Sequence, residues 1–87
     1  MKRIHIIISG NVTGVFFRDF IKINAIKLKL KGFVKNIDEK VEAIFEGENI
    51  KKMIELCKKG PKGSKVTDIK IKEEQFKNEF KDFKVTH

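Results

Sequence analysis

The sequence predicts an α+β sandwich, with two helices packed on one face of a mainly antiparallel sheet of four to five strands. Three observations predict it. Short β-branched runs alternate with two stretches of helical apolar spacing, in the order βαββαβ with a strand-like triplet at the end. The 87 residues suffice for one compact domain and no second, so residues 1–87 are taken as a single unit. A domain of this size buries only a little over ~60% of the surface of its unfolded chain, which calls for two layers sharing one core.

From Ile4 to Ser9 the run is short, β-branched and bounded by Gly10, the signature of a buried strand. After the loop Gly10-Asn11-Val12-Thr13-Gly14, the residues Phe17, Phe20, Ile21, Ala25 and Leu28 recur at helical spacing and predict a helix of about three turns. Phe33 to Ile37 and Val41 to Glu46 read as strands, the second with period-2 alternation. Only Asp38-Glu39-Lys40 separates them, so they should form a hairpin, though its turn has no Gly. Ile50, Met53, Ile54 and Cys57 fall at i, i+3, i+4 and i+7, with Asn49 placed to cap the amino end and Gly60-Pro61 to stop the helix. Val66 to Ile71 alternates as a strand, and Phe83-Lys84-Val85 suits a short strand on a sheet edge. Helical crossovers on an antiparallel sheet give a ferredoxin-like sandwich, both helices on one face and the other face open.

At 40% hydrophobic and 37% charged, the chain has enough apolar mass to fold and is too mixed to be disordered. The net charge is +8, yet its lysines are spread from Lys2 to Lys84, which reads as a solvated surface rather than a nucleic-acid docking stripe. No nucleic-acid partner is expected. A single cysteine, Cys57, excludes an internal disulfide and any CxxC metal or redox pair, pointing to the reducing cytoplasm. No apolar run approaches the ~18 residues of a membrane span, and Met1-Lys2-Arg3 leads directly into a strand without a cleavage site. With no repeat, linker or tether, the expectation is a free-standing cytoplasmic monomer.

Only Arg3 and Arg18 are arginines, and Arg18 follows a Gly-punctuated loop between a buried strand and a helix start. Two glycines permit turns that point successive N–H groups inward, and the helix adds its unpaired N–H groups and positive dipole end. The stretch Val12, Thr13, Gly14, Val15, Phe16, Phe17 therefore reads as an anion cradle, over which Arg18 can hold a bidentate guanidinium. A cation beside the positive end of a helix dipole is slightly unfavourable unless an anion binds there. The pattern is neither a P-loop, since no GK[ST] follows, nor GxGxxG. On these residues alone, a plain connection with a solvated Arg18 remains open.

Gly10-Asn11-Val12-Thr13-Gly14-Val15-Phe16-Phe17-Arg18, Gly32-Phe33-Val34-Lys35-Asn36 downstream, Val41-Glu42 and Gly60-Pro61 together resemble the acylphosphatase family over nearly the whole chain. The family signatures G-x-V-x-G-V-x-F-R and G-x-V-x-N are both present, in order. The resemblance implies a small α/β-sandwich enzyme that hydrolyses the carboxyl–phosphate bond of small anionic acyl phosphates without metal or cofactor. It implies that Arg18 binds the phosphate and that Asn36 positions the attacking water. Four departures accompany it. Thr13 stands where the family usually has Gln, and Lys29 where a Gly commonly follows the Leu, so that Lys29 either takes positive φ or the helix ends differently. The strand–strand turn is one residue shorter than the usual form, and no Tyr or Trp occurs.

Other chemistry-bearing residues have plainer readings. His5 lies mid-strand between Ile4 and Ile6 and so points away from their face. His87 is terminal, and Cys57 falls on the apolar stripe of its helix as a small hydrophobe. The cluster Phe16-Phe17-Phe20 reads as core, with Phe16 alone a candidate for the mouth of the site. Two competing functions are a non-catalytic anion-binding module, like the acylphosphatase-like domains appended to larger enzymes, and an RNA-binding ferredoxin-like domain. The latter is disfavoured because Val41 to Glu46 lacks the aromatic pattern that stacks bases.

Overall fold

In the computed structural model, which describes residues 1–14 and 16–86, the isoleucine run becomes the middle of a longer strand. The elements are β1 (Lys2–Asn11), α1 (Phe17–Lys27), β2 (Lys31–Ile37), β3 (Lys40–Gly47), α2 (Ile50–Lys59), β4 (Lys65–Glu74) and β5 (Phe83–Val85). Val15 and His87, singled out in the sequence, lie outside the described residues. The strands order as β4-β1-β3-β2-β5, antiparallel except for the β2–β5 pair. Each helical crossover skips one strand: β1–α1–β2 spans β3, and β3–α2–β4 spans β1. This is the predicted ferredoxin-like sandwich.

Alternation assigns the two sheet faces. Ile4, Ile6 and Ile8 stand opposite Phe45, Ala43 and Val41, and Val34 stands opposite Ala43, so these side chains form one buried face. Against it pack Phe17, Ile21 and Ala25 of α1 and Ile50, Met53 and Cys57 of α2. Phe83 stacks on Phe45 at 5.3 Å and 10°, which seats β5 against the same core.

The ends of the elements refine the sequence reading. The β2–β3 loop contains two residues, Asp38 and Glu39, because Ile37 pairs with Lys40; Asp38 takes φ 54°, the role a Gly would ordinarily fill. Asn49 precedes α2 as predicted, but its amide does not cap that helix. It donates instead to the Leu28 carbonyl at 3.1 Å, joining the ends of the two helices. At the end of α1, Lys29 N–H donates to the Ile26 carbonyl and Leu30 N–H to the Ala25 carbonyl, a Schellman closure with Lys29 in the left-handed position at φ 59°. Of the two outcomes open for Lys29, positive φ is the one adopted.

The outer sheet face is less open than the sequence suggests. Residues 75–82 fold back across it and are held by an ionic cluster around Arg3, which is only 5% exposed. Arg3 reaches Glu74 at 2.8 Å, Glu79 at 2.7 Å and Glu46 at 3.2 Å, and stacks over the Phe80 ring, which meets Phe33 edge to face. Glu46, at 2% exposure, also accepts the Lys77 and Glu79 N–H groups. A charge cannot be buried this deeply without such partners. Burial pushes the Glu46 pKa up, but the two N–H donors and Arg3 outweigh it and hold the carboxyl below its ordinary 4.5. Glu74 is likewise lowered, chiefly by its hydrogen bond from Arg3.

Two outcomes follow for stability. Replacing Lys29 with Gly relieves a left-handed side-chain clash, partly offset by unfolded-chain entropy, and should stabilise the fold by about 0.5–1 kcal/mol in urea titration. Glu46→Ala leaves the Lys77 and Glu79 N–H groups without their acceptor, removes one of the three carboxylates around Arg3 and should cost about 3 kcal/mol. Because Glu46 and Glu74 are depressed when folded, their contribution is full above pH 4.5 and is lost as pH falls through the lower folded values. Acid titrations of stability should therefore be less steep for Glu46→Ala than for the parent.

Candidate active site

The β1–α1 connection begins where β1 slips register against β4 between Ser9 and Gly10, turning the chain off the sheet toward the helix layer. Val12 is buried at the root of the loop. Gly14 takes φ 72° with open space where a Cβ would lie, so backbone conformation and not crowding demands glycine there. Phe16 also takes a left-handed conformation, φ 58° and ψ 27°, just before the first residue of α1.

No side chain caps the amino end of α1 at that residue. The first N–H groups of the helix and its positive dipole end therefore face the loop, an arrangement that attracts anions. Phe17, the first residue of α1, is buried and meets Phe20 edge to face at 6.1 Å. Its ring lies so close to Gly60 that a Cβ there would come within 2.8 Å of Phe17 Cε2, which fixes Gly60 as glycine for packing as well as for stopping α2. Phe16, by contrast, is 80% exposed. The aromatic cluster is therefore core at Phe17 and Phe20 but not at Phe16, because the left-handed turn rotates that side chain out to the lip of the cleft.

A cleft of about 490 Å³ opens between this loop, α1 and the ends of β2 and β5. Of the sequence-predicted residues, Val12, Thr13, Gly14, Phe16, Phe17, Arg18 and Asn36 all line it. Val15 lies outside the described residues. Arg18 is half-buried at the first turn of α1. Asn36 reaches the cleft because it stands opposite Val41, on the sheet face covered by the helices, near the end of β2. Its Oδ1 is buried and has no hydrogen-bond partner among the described residues. A buried acceptor left unpaired costs on the order of 1–3 kcal/mol, a cost that a donor entering the cleft would remove.

Three further residues line the cleft without having been singled out: Asp19, Lys22 and Val85. Lys22 was legible in principle, since it follows Arg18 by one helical turn. Val85 was not, because only the pairing of β5 beside β2 brings it there.

The remaining candidates stand elsewhere. His5 points to the outer sheet face, where its Nε2 lies 2.7 Å from Glu42 Oε2, and Lys35 approaches the same carboxylate at 3.6 Å. Cys57 is buried beneath α2, and desolvation pushes its thiol up to about 12. No group of three or more His, Cys, Asp or Glu residues among those described is arranged to hold a metal ion. No helix among them is long and apolar enough to cross a membrane.

Comparison with known proteins agrees with the fold. The family model Acylphosphatase matches residues 4–85. An acylphosphatase of Pyrobaculum aerophilum is 43% identical, covering 98% of this chain and 94% of that one. One of Syntrophobacter fumaroxidans is 42% identical over 98% of this chain and 91% of its own. The crystal structure of acylphosphatase from Bacillus subtilis superposes with a TM-score of 0.95 at 38% identity, over the full length of both chains.

A thiol with so high a pKa is almost wholly protonated at neutral pH. Cys57 should not react with a disulfide reagent in the native protein and should titrate as one thiol in denaturant, a difference read directly by absorbance.

Proposed function

The chain belongs to the acylphosphatase family, and from that membership we propose that it hydrolyses the carboxyl–phosphate bond of small acyl phosphates, with Arg18 and the loop amides holding the phosphoryl group and Asn36 orienting water. The observation that carries the assignment of residues is the unpartnered Asn36 Oδ1 in the same cleft as Arg18 and the uncapped start of α1.

An acyl phosphate is an activated anhydride. The protein's task is to hold the phosphoryl group, stabilise charge on its oxygens and set a water in line. The Arg18 guanidinium offers paired donors to two phosphoryl oxygens. The loop and helix N–H groups supply donors already oriented, with no reorganisation at the moment of reaction. Asn36 Oδ1 accepts a hydrogen bond from the attacking water, directing a lone pair at phosphorus; a neutral amide does so without repelling the dianion, as a carboxylate would. The water oxygen–phosphorus bond forms as the phosphorus–carboxyl oxygen bond breaks. The acyl group departs as carboxylate, which needs no general acid, and the water's proton passes to phosphate or solvent. His5 and Cys57 have no part in this scheme.

Purified protein should hydrolyse benzoyl phosphate in the presence of EDTA, and Arg18→Ala should abolish turnover with the circular dichroism spectrum retained. Asn36→Val should lower kcat by about 10²–10³ while changing KM little, a loss confined to the transition state. The same variant removes an unsatisfied buried acceptor and should be as stable as the parent or more so, by up to about 1 kcal/mol. Full activity in Arg18→Ala would overturn the assignment. Phosphate binding by calorimetry with no hydrolysis at all would instead mark a non-catalytic anion-binding module.

A further inference from the structure

The cleft is larger than a phosphoryl group needs, and its charged lining continues past Arg18. Lys22 follows Arg18 by one turn of α1 and lines the same cleft. Residues at i and i+4 lie on one helix face, separated by roughly 6 Å along the axis. Lys22 makes no ion pair among the described residues. We propose that Lys22 recognises a second negative group on the acyl portion of the substrate, so that the site favours acyl phosphates with an anionic tail over those with a neutral one. The inference rests on the acyl-phosphate reading above.

The dimensions fit. With the phosphoryl group at Arg18, the five bonds from phosphorus to the terminal carboxylate carbon of a four-carbon dicarboxylic acyl phosphate span roughly 6 Å, the distance to the next turn. Val85 supplies an apolar wall in the cleft for the methylene groups between the two charges. Asp19, in the first turn, also lines the cleft and opposes a second anion, although the helix dipole favours its charge there. Because Lys22 is solvent-exposed, the preference is set by an exposed ion pair and amounts to about 3–5-fold, declining with added salt.

The test uses two stable phosphonates as competitive inhibitors of benzoyl phosphate turnover at low ionic strength. These are 5-phosphonopentanoate and pentylphosphonate, alike except for the terminal carboxylate. The parent protein should bind the carboxylate-bearing compound about 3–5-fold more tightly. Lys22→Gln should bring the ratio of the two inhibition constants to about 1, Lys22→Arg should keep it, and Asp19→Asn should widen it. Equal inhibition in the parent, or a carboxylate preference that survives in Lys22→Gln, would overturn the role of Lys22. Benzoyl phosphate hydrolysis with neither phosphonate inhibiting would do the same while leaving the acyl-phosphate reading intact. Absence of benzoyl phosphate hydrolysis would defeat both.

Discussion

Phe17 is buried at the start of α1, with its ring pressed against the end of α2 at Gly60. Successive helix positions differ by about 100° around the axis, so anchoring that ring inward obliges the next residue to leave the core on another side. Arg18 consequently lines the cleft. The left-handed conformation of Phe16 serves the same constraint from the other direction, since it lets the chain enter the helix with one aromatic ring in the core and its neighbour in solvent. The packing of one hydrophobic side chain thus sets the bearing of the residue assigned to the phosphoryl group.

The opposite face of the sheet solves a different problem. Burying Arg3 and Glu46 in a small protein is costly, and the protein meets the cost by supplying three carboxylates, two backbone donors and an aromatic ring to one cluster. What this secures is the course of residues 75–82 across the sheet, which brings β5 alongside β2 and Val85 to the cleft. The hydrophobic part of the same attachment is the stacking of Phe83 on Phe45. Ionic and apolar contacts on opposite faces of the sheet therefore act on one short terminal strand.

Much of this was legible in the sequence wherever a single period governed the segment. The apolar residues of α1 and α2 are those whose spacing marked them, and the alternation in β1 and β3 identifies the inward side chains. Arg18 and Asn36 could be singled out because a glycine-punctuated loop and a family motif surround them. That both enter the same cleft depends on strand register, which places Asn36 across from Val41 on the helix-covered face. What was not legible shares a cause. Asn49 looks like a helix cap, but its amide finds the Leu28 carbonyl, a partner far away in sequence. The burial of Arg3 was not legible because Glu46, Glu74 and Glu79 converge on it only after the sheet has formed. Phe16 could be read either as core or as the mouth of the site, because hydrophobicity carries no information about a left-handed turn.

The cleft draws on residues as far apart as Val12 and Val85. During synthesis its loop and helix leave the ribosome early, whereas its far wall cannot exist until nearly the whole polypeptide has emerged and the edge strand has joined the sheet. Such distant pairings carry a large loop-closure cost and tend to form late and slowly. A nascent chain would thus hold the cleft open on one side, and the finished cleft would be among the last parts of the molecule to be assembled.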